Sequence, residues 1–140
     1  MSHIGGEGEA LANFRLWQLG YQSRINELGN GDITAWRDGL FISVQVKSTR
    51  GIAKDNRKPY RKSKSYSFNL GGATYGPAGR KQRDYAEYAF DFYAFAALDV
   101  GKVLFLPKQL VTQKSKYSIL KSRFLFLVKS PPLLFVKADC

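Results

Sequence analysis

Polar residues whose types and spacing could support chemistry lie in two short stretches, DITAWR beginning at Asp32 and LFISVQVKS containing Gln45 and Lys47. The Asp38–Gly39 dipeptide between the stretches is a strong signal for a β-hairpin. Side chains alternate between the two faces of a strand, so Gln45 and Lys47 project together from Leu40–Ser48. Asp32 is therefore predicted to meet them at the open end of the hairpin.

This set of residues suits metal-assisted hydrolysis of a phosphodiester bond. Glu9, at the start of a helix predicted before the hairpin, can approach Asp32 and complete a carboxylate pair. Mg²⁺ prefers oxygen ligands, and we expect them from the Asp32 carboxylate, the Gln45 side chain and the Val46 backbone carbonyl. A bound cation activates a water molecule and polarises the phosphate. Lys47 would position that water or offset the charge that develops at phosphorus.

Each of these residues also has an ordinary structural interpretation. Glu9 could only stabilise its helix N-terminus, and Glu7 competes for the same place. Asp32 could be a turn residue in GNGD, and Gln45 and Lys47 could form a solvated strand face. The combination is less readily explained by chance than any single member.

The surrounding elements follow from hydrophobic periodicity and turn residues. Helices are predicted at Gly6–Leu19 and Thr112–Arg123. Strands are predicted at Tyr21–Ile25, Asp32–Trp36, Leu40–Ser48, Phe90–Leu98, Lys102–Leu106, Phe124–Val128 and Leu133–Lys137. Asp91 lies in an apolar stretch, where an unpaired charge is costly, so a buried Arg or Lys partner is expected. We predict one domain spanning residues 1–140.

The chain is strongly basic, with 22 Lys and Arg against 11 Asp and Glu and a formal net charge of +11. Such an excess indicates a polyanionic partner, and double-stranded DNA is the expected one. Thr49–Ser65, called here the basic segment, carries seven cations against one acid and breaks all periodicity. Gly71–Gly79 follows with four glycines and Pro77, so residues 49–80 are predicted to form a long flexible excursion.

This excursion is interpreted as a DNA-binding arm, and a solubilising loop is the alternative. Residues 63–70 (SKSYSFNL) alternate and could lie in a groove as part of a β-ribbon. The predicted DNA contacts are Arg50, Lys54, Arg57, Lys58, Tyr60, Arg61, Lys62, Lys64 and Tyr66.

Composition also limits the kinds of site that the protein can hold and the compartment in which we expect it. One cysteine, Cys140, excludes an intrachain disulfide and fits a reducing compartment. With one His, a structural zinc site is not expected. The N-terminus lacks signal-peptide features, and no apolar run could span a bilayer. We expect an intracellular protein of a prokaryote, phage or organelle, with no membrane partner.

The pattern Gly31-Asp32-Ile33 followed by Gln45-Val46-Lys47 resembles the PD-(D/E)xK nuclease superfamily. Within it, the chain is most similar to the group I intron-associated homing endonucleases. The matching residues, over roughly residues 5–108, are Glu9-Ala10, Gly20-Tyr21, Gln45-Val46-Lys47-Ser48, Asp91-Phe92-Tyr93-Ala94 and Leu106-Pro107.

The resemblance implies an α/β restriction-endonuclease-like fold, with a central mixed sheet flanked by helices, and Mg²⁺-dependent double-strand cleavage at a long DNA target. Gln45 departs from the usual Glu or Asp, which removes a negative charge from the metal site. A domain with one active site that cuts both strands favours a homo-oligomer, a dimer or tetramer, and the apolar tail Phe124–Val136 is the expected assembly surface. Two alternatives stay open: a Holliday junction resolvase, and a non-catalytic nucleic-acid-binding module.

Overall fold

A five-stranded mixed sheet forms the centre of the computed structural model, which describes residues 4–26, 32–52, 64–71, 73–76, 79–82 and 90–129. The elements in chain order are α1 (Ile4–Gln18), β1 (Gln22–Ile25), β2 (Ile33–Arg37), β3 (Leu40–Thr49), β4 (Ser65–Asn69), β5 (Ala73–Gly76), β6 (Gly79–Gln82), β7 (Phe92–Ala97), β8 (Lys102–Pro107), a 3₁₀ turn (Lys108–Leu110), β9 (Lys116–Leu120) and α2 (Lys121–Lys129). None of the described helices is long and apolar enough to cross a membrane.

The central sheet has the strand order β1-β2-β3-β7-β8. Strands β3 and β7 pair in parallel, and the other neighbouring pairs are antiparallel. Two smaller antiparallel pairs, β4 with β9 and β5 with β6, complete the strands. The predicted α/β fold with a central mixed sheet and helices is confirmed.

The β2–β3 hairpin forms where the Asp38–Gly39 dipeptide predicts it. Asp38 and Gly39 have φ values of 51° and 81°, as a two-residue type I′ turn requires. Arg37 pairs directly with Leu40, and the register then brings Ile33 opposite Val44. The turn therefore fixes which β3 residues lie beside the start of β2.

Helix α1 covers one face of the central sheet. Its residues Ala12 and Leu16 are fully buried against Ile33 and Val44. Gly20, with φ of +91°, ends the helical turn in a left-handed conformation that suits glycine. The alternation of β3 thus turns its valines toward α1 and leaves Gln45 and Lys47 on the opposite face.

A second layer, made of β4, β9 and α2, covers the other face over β7 and β8. Its core is aromatic: the Phe68 and Phe95 ring centroids are 4.8 Å apart, and those of Phe95 and Tyr117 are 4.6 Å apart. Phe124 of α2 packs edge-on against Tyr66 at 5.1 Å. This layer lies on the same sheet face as Gln45 and Lys47, because Gln45 pairs with Tyr93 in the β3–β7 register.

The C-terminal part differs from the sequence predictions. The helix predicted at Thr112–Arg123 is wrong, since Lys116–Leu120 is a strand paired with β4. The strand predicted at Phe124–Val128 is also wrong, because these residues belong to α2. In both cases packing decides: β9 buries Ile119 and α2 buries Phe124 against the aromatic core. Phe124 is therefore unavailable to the predicted assembly surface, and the strand predicted at Leu133–Lys137 lies outside the described residues.

The predicted excursion contains strand structure. β4 belongs to the second layer, and Ala73–Gly76 pairs with Gly79–Gln82 as a hairpin. Glycine-rich sequence gave no indication of this hairpin, because glycine weakens rather than favours a strand. Residues 53–63 lie outside the described part of the chain.

Replacing Phe124 with alanine tests whether α2 is part of the core. We expect Phe124→Ala to lower the free energy of unfolding by about 3–5 kcal/mol, because it empties a fully buried aromatic site. The matched control is Phe126→Ala on the same helix, where the side chain is 61% exposed and a change of about 0.5 kcal/mol or less is expected. Urea unfolding measures both, and equal losses would contradict this packing.

Candidate active site

The Asp32 carboxylate is anchored to the end of β3. Its Oδ2 accepts hydrogen bonds from the Val46 backbone N–H at 2.8 Å and from the Gln45 side-chain amide at 3.1 Å. The Asp32 N–H in turn donates to the Val44 carbonyl at 2.9 Å. Strand β2 begins at Ile33, opposite Val44. The Asp32 carboxylate therefore takes the place of a β2 backbone acceptor for the Val46 N–H. The predicted meeting of Asp32 with the Gln45 end of β3 is thus present.

Asp91 does the same on the other side of β3. Its Oδ2 accepts the Ser43 N–H at 2.8 Å, and its own N–H donates to the Ser43 carbonyl at 2.8 Å. The Ser43 N–H therefore helps to hold this carboxylate. The contact aligns the start of β7 with β3 and gives Asp91 a structural role.

Lys47 and Glu9 determine the electrostatics around Asp32. Burial raises the pKa of Asp32, while the Val46 hydrogen bond and the Lys47 charge oppose that rise. Burial and the negative charge of Asp32 together raise the pKa of Glu9. The negative charge of Asp32 therefore disfavours the ionised form of Glu9.

A tight contact between α1 and β3 brings Glu9 to this position. A Cβ built on Gly8 would overlap Ser48 Oγ and lie 2.9 Å from Ser48 Cβ. Only glycine lets the helix approach the strand so closely. Ser48 Oγ is buried, with no hydrogen-bond partner among the described residues. Sequence reasoning missed both residues, although a glycine inside a helix beside a candidate acid was an available signal.

The residues present can accommodate a hard cation. Among the described residues, no group of three or more His, Cys, Asp or Glu could hold a metal, so the two carboxylates would need other oxygens. Gln45 ends in an amide that carries an acceptor as well as the donor it gives Asp32, and the Val46 carbonyl is adjacent. Burial is the main cause of the raised pKa of Glu9, and a cation would relieve the smaller contribution from repulsion by Asp32. Asp32, Gln45 and the Val46 carbonyl therefore offer oxygen atoms of the kind that Mg²⁺ prefers.

The predicted DNA contacts fall into three groups. Arg50 and Lys64, at the two ends of the basic segment, are exposed. Tyr66 is fully buried, and its hydroxyl donates to Asp99 at 3.0 Å, so its prediction as a DNA contact is wrong in this structure. Its place on the inward face of β4 explains the difference. The third group of predicted contacts lies outside the described residues and comprises Lys54, Arg57, Lys58, Tyr60, Arg61 and Lys62.

The Gly8 contact predicts an unusual response to alanine. Gly8→Ala should lower the free energy of unfolding by about 1–3 kcal/mol, because the added methyl overpacks the α1–β3 contact. Ser48→Gly in the same chain should restore part of the loss by removing the overlapping atoms.

The matched control is Gly6→Ala, where a Cβ would meet nothing within 4 Å. Alanine there should stabilise the helix by up to about 1 kcal/mol. Chemical denaturation measures all three variants, and a Gly8→Ala protein as stable as Gly6→Ala would contradict the close approach.

The carboxylate repulsion predicts a pH-dependent effect at Glu9. A raised pKa in the folded state means that the folded chain binds the proton more tightly, so this group destabilises the fold as pH rises above its ordinary range. Glu9→Gln should therefore stabilise the protein at pH 7.5, by about 0.5 kcal/mol or less since the pair is partly solvated. The gain should disappear near pH 3.

Glu7→Gln is the control, since Glu7 is an exposed acid in the first helical turn. Removing its charge should slightly destabilise the protein at pH 7.5 through the helix dipole. Thermal unfolding at both pH values compares the variants, and a Glu9→Gln loss equal to that of Glu7→Gln would argue against the repulsion.

Comparison with known proteins places this geometry in a fold. No protein-family model matches the chain, and no curated protein matches its sequence. A solved bacterial homing endonuclease, I-Ssp6803I, superposes with a TM-score of 0.65 at 15% identity, covering 84% of this chain and 76% of that one. The Holliday junction resolvase Hjc of Archaeoglobus fulgidus gives a TM-score of 0.49 at 12% identity, covering 87% and 88%. The likeness to the first structure shows that the chain has the restriction-endonuclease-like fold.

Proposed function

We propose that the protein is a Mg²⁺-dependent, site-specific DNA endonuclease that makes a double-strand break, in the manner of a homing enzyme. The observation that carries the proposal is the Asp32 carboxylate, which Val46 and Gln45 hold at the end of β3. Lys47 and Glu9 both act on its charge environment. A fold shared with a homing endonuclease is compatible with this function.

Each residue of the site has a distinct role in this proposal. Bound Mg²⁺ would activate water and polarise the phosphate, held by Asp32, Gln45 and the Val46 carbonyl. Lys47 orients the attacking water or balances the charge that develops at phosphorus. Glu9 acts on the cation or its waters from beside Asp32, at the distance that the Gly8 contact sets.

The overall charge supplies the affinity for DNA. A net charge of +11 attracts the phosphate backbone, and the binding should weaken steeply with salt. Arg50 and Lys64 are exposed at the ends of the basic segment, where they can contact phosphates. The described residues form one such site, and cutting both strands with one site per chain favours two or more copies, so we propose a homo-oligomer.

Cleavage of supercoiled plasmid tests the proposal. The substrates are plasmids with candidate intron-insertion sites, random-sequence DNA and a four-way junction, each with Mg²⁺ or with EDTA. Wild-type protein should make one discrete double-strand cut, only with Mg²⁺. Asp32→Asn and Lys47→Ala should each reduce cleavage by about 100-fold or more. Asp32→Asn keeps an oxygen for the Val46 N–H, so its folding should be preserved.

Matched controls separate chemistry from charge. Asp38→Asn removes an acid that is 81% exposed and leaves an Asn-Gly turn, which the hairpin accepts. Lys102→Ala removes an exposed lysine from β8. Both should cut like wild type. Equal cutting by Asp32→Asn, cutting in EDTA, or no cutting of any substrate would refute the proposal, and cutting confined to junctions would replace it with resolvase activity.

A further inference from the structure

The paired strands β4 and β9 present a polar surface that the proposed active site does not use. Their inward residues pack into the aromatic core, where Tyr66, Phe68 and Ile119 are buried and Tyr117 is half-buried, while the alternate residues face outward. In register, the outward pairs are Ser65 with Leu120, Ser67 with Ser118, and Asn69 with Lys116. The Ser67 and Ser118 hydroxyls are 3.2 Å apart and exposed. This face is called the β4–β9 ribbon.

The ribbon belongs to two segments of the chain in which every charged residue is basic. Residues 100–129 contain seven lysines and arginines and no acid, and residues 64–71 add Lys64 and no acid. Asp99, the acid that directly precedes residues 100–129 in the sequence, is engaged by the Tyr66 hydroxyl and by Lys121 at 3.3 Å. Sequence analysis already suggested that residues 63–70 lie in a groove as part of a β-ribbon. It missed their pairing with Lys116–Leu120 and the positive charge around that strand, because it expected a helix at Thr112–Arg123.

The dimensions of the ribbon match a DNA groove. A two-stranded β-ribbon fits the major groove, and strands lie about 4.8 Å apart within it. Outward side chains repeat about every 6.8 Å along a strand, which is close to two base-pair steps of about 3.4 Å each. The three outward positions on each strand therefore span about five base pairs.

The side chains suit base edges better than phosphates alone. Asn is the residue that pairs with adenine through two hydrogen bonds, Lys pairs with guanine, and apolar side chains contact the thymine methyl. Asn69 and Lys116 lie together at one end of the ribbon, and Leu120, which is 55% exposed, lies at the other end. The serines between them can pair with any base.

We propose that the β4–β9 ribbon enters the major groove of duplex DNA and reads about five base pairs of the target. This inference rests on the proposed function, because it names the surface that makes the endonuclease site-specific. The ribbon also stands on the same sheet face as Gln45 and Lys47, since Phe68 and Tyr117 beneath it pack on Phe95, the β7 partner of Lys47.

Selection from a random duplex DNA library tests the inference without cleavage. Full-length protein is incubated with the library in EDTA, and the bound DNA is sequenced. Wild type should enrich a motif that includes about five contiguous, strongly preferred base pairs. Asn69→Ala and Lys116→Ala should each lose the preference at neighbouring positions of one end. Leu120→Ala should lose it about four base pairs away.

Two further variants distinguish a loss of base recognition from other effects of a substitution. Lys102→Ala, outside the ribbon, should leave the motif unchanged. Lys116→Gln should shift the preference at its position from guanine toward adenine, a gain that loss of folding cannot imitate. Circular dichroism confirms that each variant is folded.

The possible results distinguish a failure of the proposed base recognition by the ribbon from a failure of the proposed endonuclease activity. Variants that enrich the wild-type motif would overturn the ribbon and leave the endonuclease intact, as would a wild-type protein that cuts DNA but selects no motif. A wild-type protein that neither binds nor cuts DNA would overturn both proposals.

Discussion

The structure depends on a mismatch of strand lengths at β3. This strand has 10 residues, whereas its neighbours β2 and β7 have 5 and 6. Backbone N–H groups beyond the neighbours would be left unpaired, and a buried unpaired N–H is costly. Asp32 on one side and Asp91 on the other accept these hydrogens. The candidate active site thus begins as a solution to a folding requirement, because the group that completes the ladder is a carboxylate.

A carboxylate in that position has an energetic cost that favours a cation. Burial raises the pKa of Asp32, and the hydrogen bond from Val46 and the charge of Lys47 only oppose this effect. The approach of Glu9, enforced by the glycine contact with Ser48, adds repulsion between two acids. Sites that conflict with stability in this way are commonly functional. In the proposed function, a bound divalent cation would offset this repulsion.

Local sequence was sufficient to predict the structure wherever a single feature, such as a turn, determined the backbone geometry. The Asp38–Gly39 turn fixed the register of β2 and β3, and alternation then determined that Gln45 and Lys47 share a face. At Lys116–Leu120 local sequence was insufficient, because a five-residue stretch with one buried and one half-buried position fits a helix or a strand. Its partner is β4, about fifty residues earlier in the chain, so pairing across the fold made the choice. The buried state of Tyr66 has the same origin: its cationic neighbours indicated DNA, but the aromatic layer holds its ring.

The aromatic layer also determines how recognition and chemistry relate in space. Phe95 is in register with Lys47 and packs against Phe68 of β4 and Tyr117 of β9. Close-packed rings hold the strands that carry them at fixed relative positions, because protein interiors are nearly as dense as organic crystals. A surface on β4 and β9 is therefore held at a constant offset from the candidate catalytic strand. An enzyme that reads bases with that surface would cut at a constant distance from the sequence it reads, without a mobile linker between recognition and cleavage.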